Sequence, residues 1–286
     1  MDVSVIIVNY NTKNLTKACI NSIFSQTKDI SFEVILVDNA STDGSKDFFR
    51  KDPRIVFLES ETNLGFGKAN NLGFEHSKGE YIFLLNSDTI ILNNAIKIFY
   101  DKAQNKDFGC LGTYLLDKNL KPNNSYGHFP KIPNLLFKAF WGHFKKVHIN
   151  TYKDEDDFKK VEIVIGADLF IRRTSIEKHG LFDPIYFMYH EEDDMQKRYQ
   201  LQQLDSYLIS GPKIIHLEGK SNMINIDKYI MQMNGTFIYL KKWKSKFSYF
   251  IFRILYFIIR TPIMLLHSKY SFRQKITYIS NLLSKV

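Results

Sequence analysis

Apolar, β-branched runs alternate with segments of helical periodicity over the first ninety residues, and this alternation is the strongest constraint on the fold. It predicts strands over residues 3–8, 33–37, 54–58 and 81–85. Leu15, Cys19 and Ile23 recur every four residues after Thr12, which predicts a helix with Thr12 as its cap. Weaker helical patterns cover residues 45–50 and 68–76. Strands that alternate with helices indicate an α/β fold with a doubly wound sheet flanked by helices.

Ligands of such open sheets bind beyond the carboxyl ends of the parallel strands. The segments that fall at these ends are residues 9–11, 38–39, 63–67 and 86–88, and all four are polar or contain glycine. The sequence therefore predicts a binding crevice along this edge of the sheet.

The pattern is looser in the second half of the chain. Three prolines and a group of aromatic residues make 122–160 the least predictable part, and its acidic run at 154–157 is expected to be a solvated loop. An apolar strand is predicted over 161–165, and four acidic residues at 191–194 open a predicted helix. Residues 214–216 are expected to close the globular part.

Composition excludes several classes of protein. With 286 residues and 44% apolar side chains, the chain can bury a core, so it is neither intrinsically disordered nor a small disulfide scaffold. Cys19 and Cys110 lie far apart without a CxxC or Cys/His spacing, which excludes a structural zinc or iron–sulfur site and fits a reducing compartment. The acidic residue and short apolar run at the N-terminus predict a buried strand instead of an export signal.

The net charge of +9 comes from the C-terminal part of the chain. No acidic residue follows Asp227, whereas eleven lysines and arginines do, and the first 227 residues carry 28 basic and 30 acidic residues. The bulk of the chain therefore has no electrostatic reason to bind DNA, and we expect no nucleic-acid partner.

The turns after the predicted strands lack the familiar phosphate loops. The first turn reads NYNTKN, which matches neither GxGxxG nor the P-loop pattern, and Gly65-Phe66-Gly67 is not followed by the third glycine of a dinucleotide fingerprint. These absences disfavour a dinucleotide-dependent enzyme and a P-loop ATPase. Carboxylates and one histidine remain near strand ends, and they suit a metal-assisted transfer in which a leaving phosphate is neutralised.

Each candidate for that chemistry has a structural alternative. Asp88 follows the strand at 81–85, where a carboxylate can hold a divalent cation or cap the next helix. Asp38 begins a sequence that also suits a turn and an N-cap, and His216 is either a ligand or a histidine with ordinary partners. The acidic cluster at 191–194 is favoured at a helix N-terminus, yet crowded like charges raise the pKa of at least one member, which suits a general base.

The order and spacing of seven segments carry a resemblance over about residues 3–243. They are VSVIIVNYN (3–11), VDNASTDGS (37–45), NLGFGKANNLG (63–73), LLNSDT (84–89), GADLFIRR (166–173), GLFDPIYFMYHEEDD (180–194) and HLEGKS (216–221). As a set they resemble the rhamnosyltransferase-like branch of the family 2 inverting glycosyltransferases. The resemblance implies a GT-A fold, with a doubly wound mixed sheet, and a nucleotide-diphospho-sugar donor of the UDP or dTDP type used with Mg or Mn.

The resemblance also implies which residues bind the donor. They are Asn9, Tyr10, Asp38, Asn70, Asn71, Asn86, Ser87 and Asp88. The first three would hold the nucleoside, and the two adjacent asparagines of the third segment would line its pocket. Asp88 would be the metal-binding carboxylate of the DxD position, and His216 would complete the metal and diphosphate site.

On the acceptor side, the resemblance implies Gly166 and Asp168, with a general base at the second acidic residue of an ED pair, which is Glu192 here. Two positions depart from the family's pattern. The DxD position reads Asn86-Ser87-Asp88, so one carboxylate is absent, and the ED pair reads Glu191-Glu192, so Glu191 is the alternative base.

The implied reaction is a single displacement that inverts the anomeric centre. Glu192 would take the proton from an acceptor hydroxyl while the metal and His216 neutralise the leaving diphosphate. The expected function is hexosyl transfer, including rhamnosyl transfer, to a glycan or lipid-linked acceptor in cell-surface polysaccharide synthesis. The alternative, motivated by the missing carboxylate, is a catalytically silent sugar-nucleotide or glycan-binding module of the same fold.

Residues 1–243 are predicted to form the GT-A domain, with a nucleotide-binding half at 1–110 and an acceptor-side half at 111–243. A basic amphipathic helical tail is predicted to follow over 244–286.

Within this tail, the apolar stretch at 247–266 contains two arginines, each of which costs about 2.5–3.5 kcal/mol at the centre of a spanning helix, so spanning is disfavoured. Lys246, Arg253, Arg260 and His267 repeat every seven residues and predict one cationic stripe on an interfacial helix that binds an anionic membrane. The alternative is a helix packed back on the globular domain. We expect a cytoplasmic protein, peripheral on the inner face of the cell membrane.

Overall fold

The computed structural model describes residues 1–104, 106–141, 157–217 and 225–284, whose helices and strands follow one another in an α/β order. In chain order they are β1 (Val3–Asn9), α1 (Lys13–Gln26), β2 (Phe32–Asn39), α2 (Ser45–Phe49), β3 (Val56–Ser60), α3 (Gly65–Glu75), β4 (Tyr81–Leu85), β5 (Thr89–Ile91), α4 (Ala95–Ala103), β6 (Leu111–Thr113), β7 (Tyr126–Gly127), α5 (Ile132–Trp141), β8 (Phe158–Val161), β9 (Ile163–Val164), β10 (Asp168–Arg172), α6 (Arg173–His179), α7 (Glu191–Gln200), β11 (Ser206–Ile209), β12 (Ile214–His216), α8 (Asn225–Trp243), α9 (Lys246–Leu266) and α10 (Phe272–Ser284).

The largest sheet has eight strands in the order β3-β2-β1-β4-β10-β6-β11-β8. The first four strands of this order are parallel, whereas β10 runs antiparallel to both β4 and β6. β12 pairs with β5, and β7 pairs with β9, in two small antiparallel sheets. The α/β class predicted from the sequence, a mixed doubly wound sheet flanked by helices, is confirmed.

The central strands are apolar throughout because both faces of the sheet are covered. Val5 and Ile7 of β1 belong to the same buried cluster as Ile23 of α1, whereas Ile6 belongs to a second cluster with Ala69 of α3. Side chains of successive strand residues point to opposite faces, so a continuous apolar run supplies both cores. Full burial of an Ile or Val side chain contributes about 1.5–3 kcal/mol, so these strands anchor the sheet.

Several predicted boundaries differ from those in the structure. β3 begins at Val56, two residues later than predicted, because Arg54 is held in a turn by hydrogen bonds from its backbone N and Nε to the Asp52 carboxylate. The strand predicted over 161–165 divides into β8 and β9 at Glu162. The stretch at 122–160, the least predictable part of the sequence, contains α5. Within the acidic run, Asp157 accepts a hydrogen bond from Lys102 and is exposed, and residues 154–156 lie outside the described part of the chain.

Thr12 occupies the predicted N-cap position of α1, but its side chain does not cap the helix. Thr12 precedes the helix, but its Oγ1 donates to Asn9 Oδ1 at 2.9 Å and makes no capping hydrogen bond. The first helical amide, Lys13 N, donates to the Asp43 carboxylate at 2.9 Å. Asp43 therefore satisfies one of the free amides at the start of the helix.

The described residues group into two compact units. The first comprises residues 1–128, 157–187 and 191–217 and contains the sheets. The second comprises residues 129–141, 188–190 and 225–284 and contains α5, α8, α9 and α10. Both cysteines lie in the first unit, free and buried, and burial raises the pKa of the Cys19 thiol to about 12.

The expected orientation of the cationic stripe on α9 is wrong. Arg253 and Arg260, its two central members, are only 9% and 7% exposed and face the interior of the helical unit. Among the described helices, α9 is long and apolar enough to cross a membrane, by length and composition alone.

Candidate active site

Asn9 and Asp38 stand side by side at the carboxyl ends of β1 and β2, where the strand register pairs them. Both are fully buried. Asn9 Nδ2 donates to Asp38 Oδ2 at 2.7 Å and to Ser41 Oγ at 2.9 Å, and Ser41 N donates to Asp38 Oδ1 at 2.9 Å. The two side chains that were expected to hold a nucleoside therefore form, with Ser41, the rigid base of the crevice.

The other end of the Asn9 amide ties this base to α1. Its Oδ1 accepts hydrogen bonds from Thr12 Oγ1 at 2.9 Å and from Thr16 Oγ1 at 2.7 Å. Tyr10, by contrast, is exposed and presents its ring at the strand end. Of the three expected nucleoside contacts, Tyr10 is the one with an accessible surface. Thr16 and Ser41 were not identified from the sequence, and Thr12 was identified only as a helix cap. Thr12 and Ser41 closely follow the polar segments at the strand ends, whereas Thr16 lies in the first turn of α1.

The turn before α3 is fixed by Asn39 and Gly65. Asn39 Oδ1 accepts from Leu64 N at 2.7 Å, and its Nδ2 donates to Gly65 O at 3.2 Å. Gly65 has φ +79°, and a Cβ there would lie 2.0 Å from the Phe187 carbonyl oxygen. That carbonyl accepts from Phe66 N at 3.0 Å, at the start of α3. Only glycine tolerates both the conformation and the close approach.

Asn70 and Asn71 form hydrogen bonds to backbone atoms of the chain. Asn70 is buried and donates to Phe66 O at 3.0 Å within α3. Asn71 Nδ2 donates to Phe182 O at 2.8 Å, and its Oδ1 accepts from Phe182 N at 3.2 Å. Asn71 thus fastens the segment around Phe182 to α3. These contacts support a positioning role for both asparagines and do not support the expected direct lining of a pocket.

Asp88 and His216 are brought together by strand pairing between distant parts of the chain. β5 and β12 pair antiparallel with Thr89 opposite His216, and Leu217 N donates to Asp88 O at 3.0 Å. His216 Nε2 lies 3.3 Å from Asp88 Oδ1, and both side chains keep some exposure. We call this pair the Asp88–His216 pair. Its geometry joins the strand-end carboxylate and the histidine that the sequence singled out separately.

The donor set of this pair fits a divalent cation. Two ligands at adjacent octahedral positions, each about 2.1 Å from an ion, lie about 3 Å apart, which is close to the observed separation. No group of three or more such ligands occurs within the described ranges, so protein atoms alone do not complete a coordination sphere. A divalent cation held through one or two protein ligands takes its remaining ligands from substrate phosphates and water.

A short series of contacts links this pair to the acidic residues of α7. Asn86 N donates to Ala167 O at 3.0 Å, which joins the segment before Asp88 to the segment before β10. A Cβ on Gly166 would lie 3.6 Å from Glu192 Oε1, so the Glu192 carboxylate lies against Gly166. Ser87 Oγ lies 3.1 Å from Thr12 Oγ1 and connects the same segment to α1.

The four acidic residues that open α7 have different surroundings. Asp194 is fully buried and pairs with Arg198 Nε at 3.1 Å, so it is structural. Glu191 is also buried, and burial, followed by the charges of Glu192 and Asp193, raises its pKa well above the usual value. Glu192 is partly exposed beside Gly166. The N-terminal position of the cluster therefore explains only part of it, as the sequence indicated.

Asp168 is fully buried between strands, and its expected contact with an acceptor is not supported. Its Oδ2 accepts from Thr113 N at 2.6 Å, whereas its Oδ1 has no hydrogen-bond partner among the described residues. Burial raises the pKa of this carboxyl group well above its usual value. The group therefore keeps a proton in the folded chain at pH values where the unfolded chain has lost it.

This difference predicts a pH-dependent effect of Asp168→Asn on stability. Between the unfolded-state pKa of about 3.9 and the raised folded-state pKa, the folded wild type binds more protons than the unfolded chain, so its stability falls as pH rises. Asparagine does not titrate and avoids this fall. We expect the melting temperature of the variant, relative to wild type, to increase by about 2 °C or more between pH 5 and pH 8 in thermal melts. A difference that stays constant or decreases would contradict a protonated Asp168.

The chain belongs to a known family of enzymes. The family model described as Glycosyl transferase family 2 matches residues 4–180, more than half of the chain. The solved structure of TarS from S. aureus is similar over 94% of this chain and 44% of that one, with a TM-score of 0.55 and 16% identity. Together these confirm the GT-A fold.

Several curated proteins are similar in sequence. A glycosyltransferase, GlyG, from Streptococcus pneumoniae is 38% identical over 109 residues, which are 37% of this chain and 36% of that protein. Hyaluronan synthase from Pasteurella multocida is 24% identical over 222 residues, 72% of this chain and 22% of that protein. The hexosyltransferase Agl10 of low-salt glycan biosynthesis from Haloferax volcanii is 26% identical over 195 residues, 67% and 59% respectively. The chain thus spans less than two thirds of the length of each of these relatives.

Proposed function

We propose that this chain transfers a sugar from a nucleotide-diphospho-sugar to a hydroxyl group of a glycan or lipid-linked acceptor. The observation that carries the proposal is the Asp88–His216 pair, 3.3 Å apart, connected through Asn86, Ala167 and Gly166 to the Glu192 carboxylate. A site for a leaving diphosphate and a base for an incoming hydroxyl are the two parts that a single displacement needs.

The donor's nucleoside, of the UDP or dTDP type, binds at the ends of β1 and β2. The exposed ring of Tyr10 offers a surface on which a base stacks. Asn9 and Asp38 lie beneath it and form a rigid, hydrogen-bonded support, since both are buried. Asn86 and Ser87 carry the chain from β4 to Asp88, where the diphosphate lies.

Asp88 and His216 would hold Mg²⁺ or Mn²⁺ together with the diphosphate. When bound, the cation neutralises negative charge on the leaving group. His216 Nε2 lies beside the Asp88 carboxylate and would add a nitrogen ligand to the same cation. The absence of the first DxD carboxylate leaves this pair as the protein's contribution.

Glu192 accepts the proton of the acceptor hydroxyl. At Gly166 no side chain approaches its Oε1, and a Cβ there would lie 3.6 Å both from that oxygen and from the Phe66 ring. Burial raises the pKa of the Glu191 carboxyl group, which favours its protonated form, and a protonated neighbour adds no like charge beside Glu192. Attack on the face opposite the leaving diphosphate inverts the anomeric centre.

The biological setting that we propose is cell-surface polysaccharide synthesis by a cytoplasmic enzyme at the inner face of the membrane. Similarity to a hyaluronan synthase and to a poly(ribitol-phosphate) beta-glucosyltransferase from Bacillus spizizenii, 32% identical over 145 residues, supports a polymer or polymer precursor as acceptor. Motifs of the rhamnosyltransferase-like branch support a hexosyl donor, including a rhamnosyl donor.

The alternative, a binding module without turnover, is separated from this proposal by donor hydrolysis. The chain is incubated with a panel of UDP- and dTDP-sugars, with and without Mn²⁺, and release of the nucleoside diphosphate is measured. We expect Mn²⁺-dependent release from one donor. Mn²⁺-dependent binding of a donor without release, even with added glycan acceptors, would support the silent module.

A further inference from the structure

One face of α9 is apolar and exposed along the whole helix. Its large exposed residues are Phe247, Phe250, Ile251, Ile254, Leu255, Ile258, Leu265 and Leu266. At about 100° per residue these positions span about 160° of the helix circumference, so they form one stripe. We call this stripe the α9 apolar face. At about 1.5 Å per residue it is about 30 Å long.

Arg253 and Arg260 lie on the opposite face of α9, and their side chains point into the second, helical unit. The Arg253 guanidinium donates to Leu282 O and lies 4.3 Å from the centre of the Phe237 ring. Arg260 Nε is 3.4 Å from Tyr278 Oη. Aromatic rings and a backbone carbonyl thus receive the two cations inside the unit.

This arrangement reverses the amphipathicity of an ordinary surface helix. A surface helix of a soluble protein buries its apolar residues and exposes its charges, whereas α9 buries two arginines and exposes large apolar residues. From the sequence, the two central arginines disfavoured a spanning helix. Both guanidinium groups point away from the α9 apolar face, so they do not oppose contact of that face with hydrocarbon.

Neighbouring helices of the same unit add aromatic and apolar exposure. The exposed residues are Phe137, Phe140 and Trp141 on α5 and Phe272, Ile276 and Leu283 on α10. Tryptophan and phenylalanine are the side chains that anchor interfacial helices at the boundary between headgroups and acyl chains.

The positive charge near α9 indicates which kind of partner fits the α9 apolar face. Lys244 and Lys246 are exposed at the amino end of α9, and no acidic residue follows Asp227. A second copy of the chain would bring the same uncompensated positive charge to the contact. Phospholipid supplies both an apolar layer for the α9 apolar face and anionic headgroups for the flanking lysines.

We propose that the helical unit inserts the α9 apolar face into the acyl-chain boundary of a phospholipid bilayer, with apolar burial as the main driving force and the lysines as an addition. This inference rests on the membrane location proposed above and not on the transfer reaction. It differs from binding through a cationic stripe, because it does not require anionic lipid.

Flotation of the full chain with vesicles tests the inference. The vesicles are pure phosphatidylcholine, or phosphatidylcholine with phosphatidylglycerol, at 0.1 M and 1 M NaCl. We expect flotation with pure phosphatidylcholine that persists at 1 M NaCl, and an added effect of phosphatidylglycerol at 0.1 M NaCl only. Flotation that requires phosphatidylglycerol and disappears at 1 M NaCl would overturn the inference.

A double variant and a matched control locate the contact. Ile254→Asp with Ile258→Asp should reduce partition into phosphatidylcholine vesicles by at least about tenfold, since each change removes an apolar side chain from lipid and adds a charge. Leu201→Asp, at a residue of the first unit that is 59% exposed compared with 60% for Ile258, should leave partition unchanged. Circular dichroism checks that the double variant keeps its helices.

Unchanged partition of the folded double variant would overturn the inference. The inference would also be overturned if the wild-type chain did not bind phosphatidylcholine vesicles but formed a dimer, and the double variant were monomeric. A second copy would then cover the α9 apolar face. The wild-type result with phosphatidylcholine stands by itself if the double variant does not fold. Sugar transfer by detergent-solubilised protein is a separate readout, so failure of the lipid inference and failure of the proposed function can be told apart.

Discussion

Replacing Asp88 by alanine is expected to reduce sugar transfer by about 10³-fold or more and to remove the stabilisation that Mn²⁺ and a nucleoside diphosphate together give to the folded chain. The physical reason is that Asp88 is the carboxylate of the Asp88–His216 pair, so its loss removes the charged protein ligand beside the leaving diphosphate. Turnover is measured by nucleoside diphosphate release, and stabilisation by thermal shift.

Asp205→Ala is the matched control, because Asp205 has similar side-chain exposure and pairs with Lys160 elsewhere in the first unit. It should leave both readouts unchanged. His216→Ala should weaken the coupling between Mn²⁺ and the diphosphate by a smaller amount than Asp88→Ala, since one nitrogen donor is lost and the carboxylate remains. Retention of both readouts in Asp88→Ala would show that the pair does not hold the cation.

Glu192→Gln is expected to lower turnover by about 10²–10⁴-fold while donor affinity changes little. Glutamine keeps the shape of the side chain beside Gly166 but cannot accept the proton of the acceptor hydroxyl. Turnover is measured at saturating concentrations of donor and acceptor. Donor affinity is measured by titration of the nucleoside diphosphate.

The adjacent residue supplies the control for this prediction. Glu191 is buried, and burial raises the pKa of its carboxyl group, so Glu191→Gln introduces an uncharged side chain of the same shape in place of a group whose protonated form is favoured. Its effect on turnover should be far smaller. A larger effect of Glu191→Gln than of Glu192→Gln would identify Glu191 as the base, which is the alternative that the ED position left open.

β1, β2 and β4 could be predicted because each of them is buried on both faces over most of its length. A continuous apolar run such as that of β1 is required when helices cover both sides of a parallel sheet, and few other structures require it. The break at Glu162 between β8 and β9, by contrast, depends on pairing with two different partners, β11 and β7. Such partners are distant in sequence, so local periodicity does not reveal them.

The candidate site shows the same division. Placement of Asn9, Asp38 and Asp88 at strand ends followed from the strands themselves. Their hydrogen-bond partners did not, because Asn71 reaches Phe182 and Asp88 reaches His216 only after the chain has folded. Motif resemblance identified these residues as a set, and the structure separates those that present a surface from those that hold the site in place.

The orientation of α9 could not be predicted from its own sequence. The seven-residue repeat of cations is real, but periodicity defines a face without stating what covers it. In the structure, Leu282 and Tyr278 of α10 take the two central arginines, so the face that was expected to meet lipid headgroups is internal. Tertiary packing thus reversed the expected orientation of α9.

The central claim is that the Asp88–His216 pair binds a divalent cation that the donor diphosphate shares. Calorimetric titration of UDP and dTDP into the full chain, with and without Mn²⁺, tests it most directly. We expect Mn²⁺ to increase the affinity of the wild type for at least one of the two nucleotides by about tenfold or more. In Asp88→Ala, we expect Mn²⁺ to have no effect on affinity. Equal affinity with and without Mn²⁺ in the wild type, or the same Mn²⁺ effect in both proteins, would contradict it.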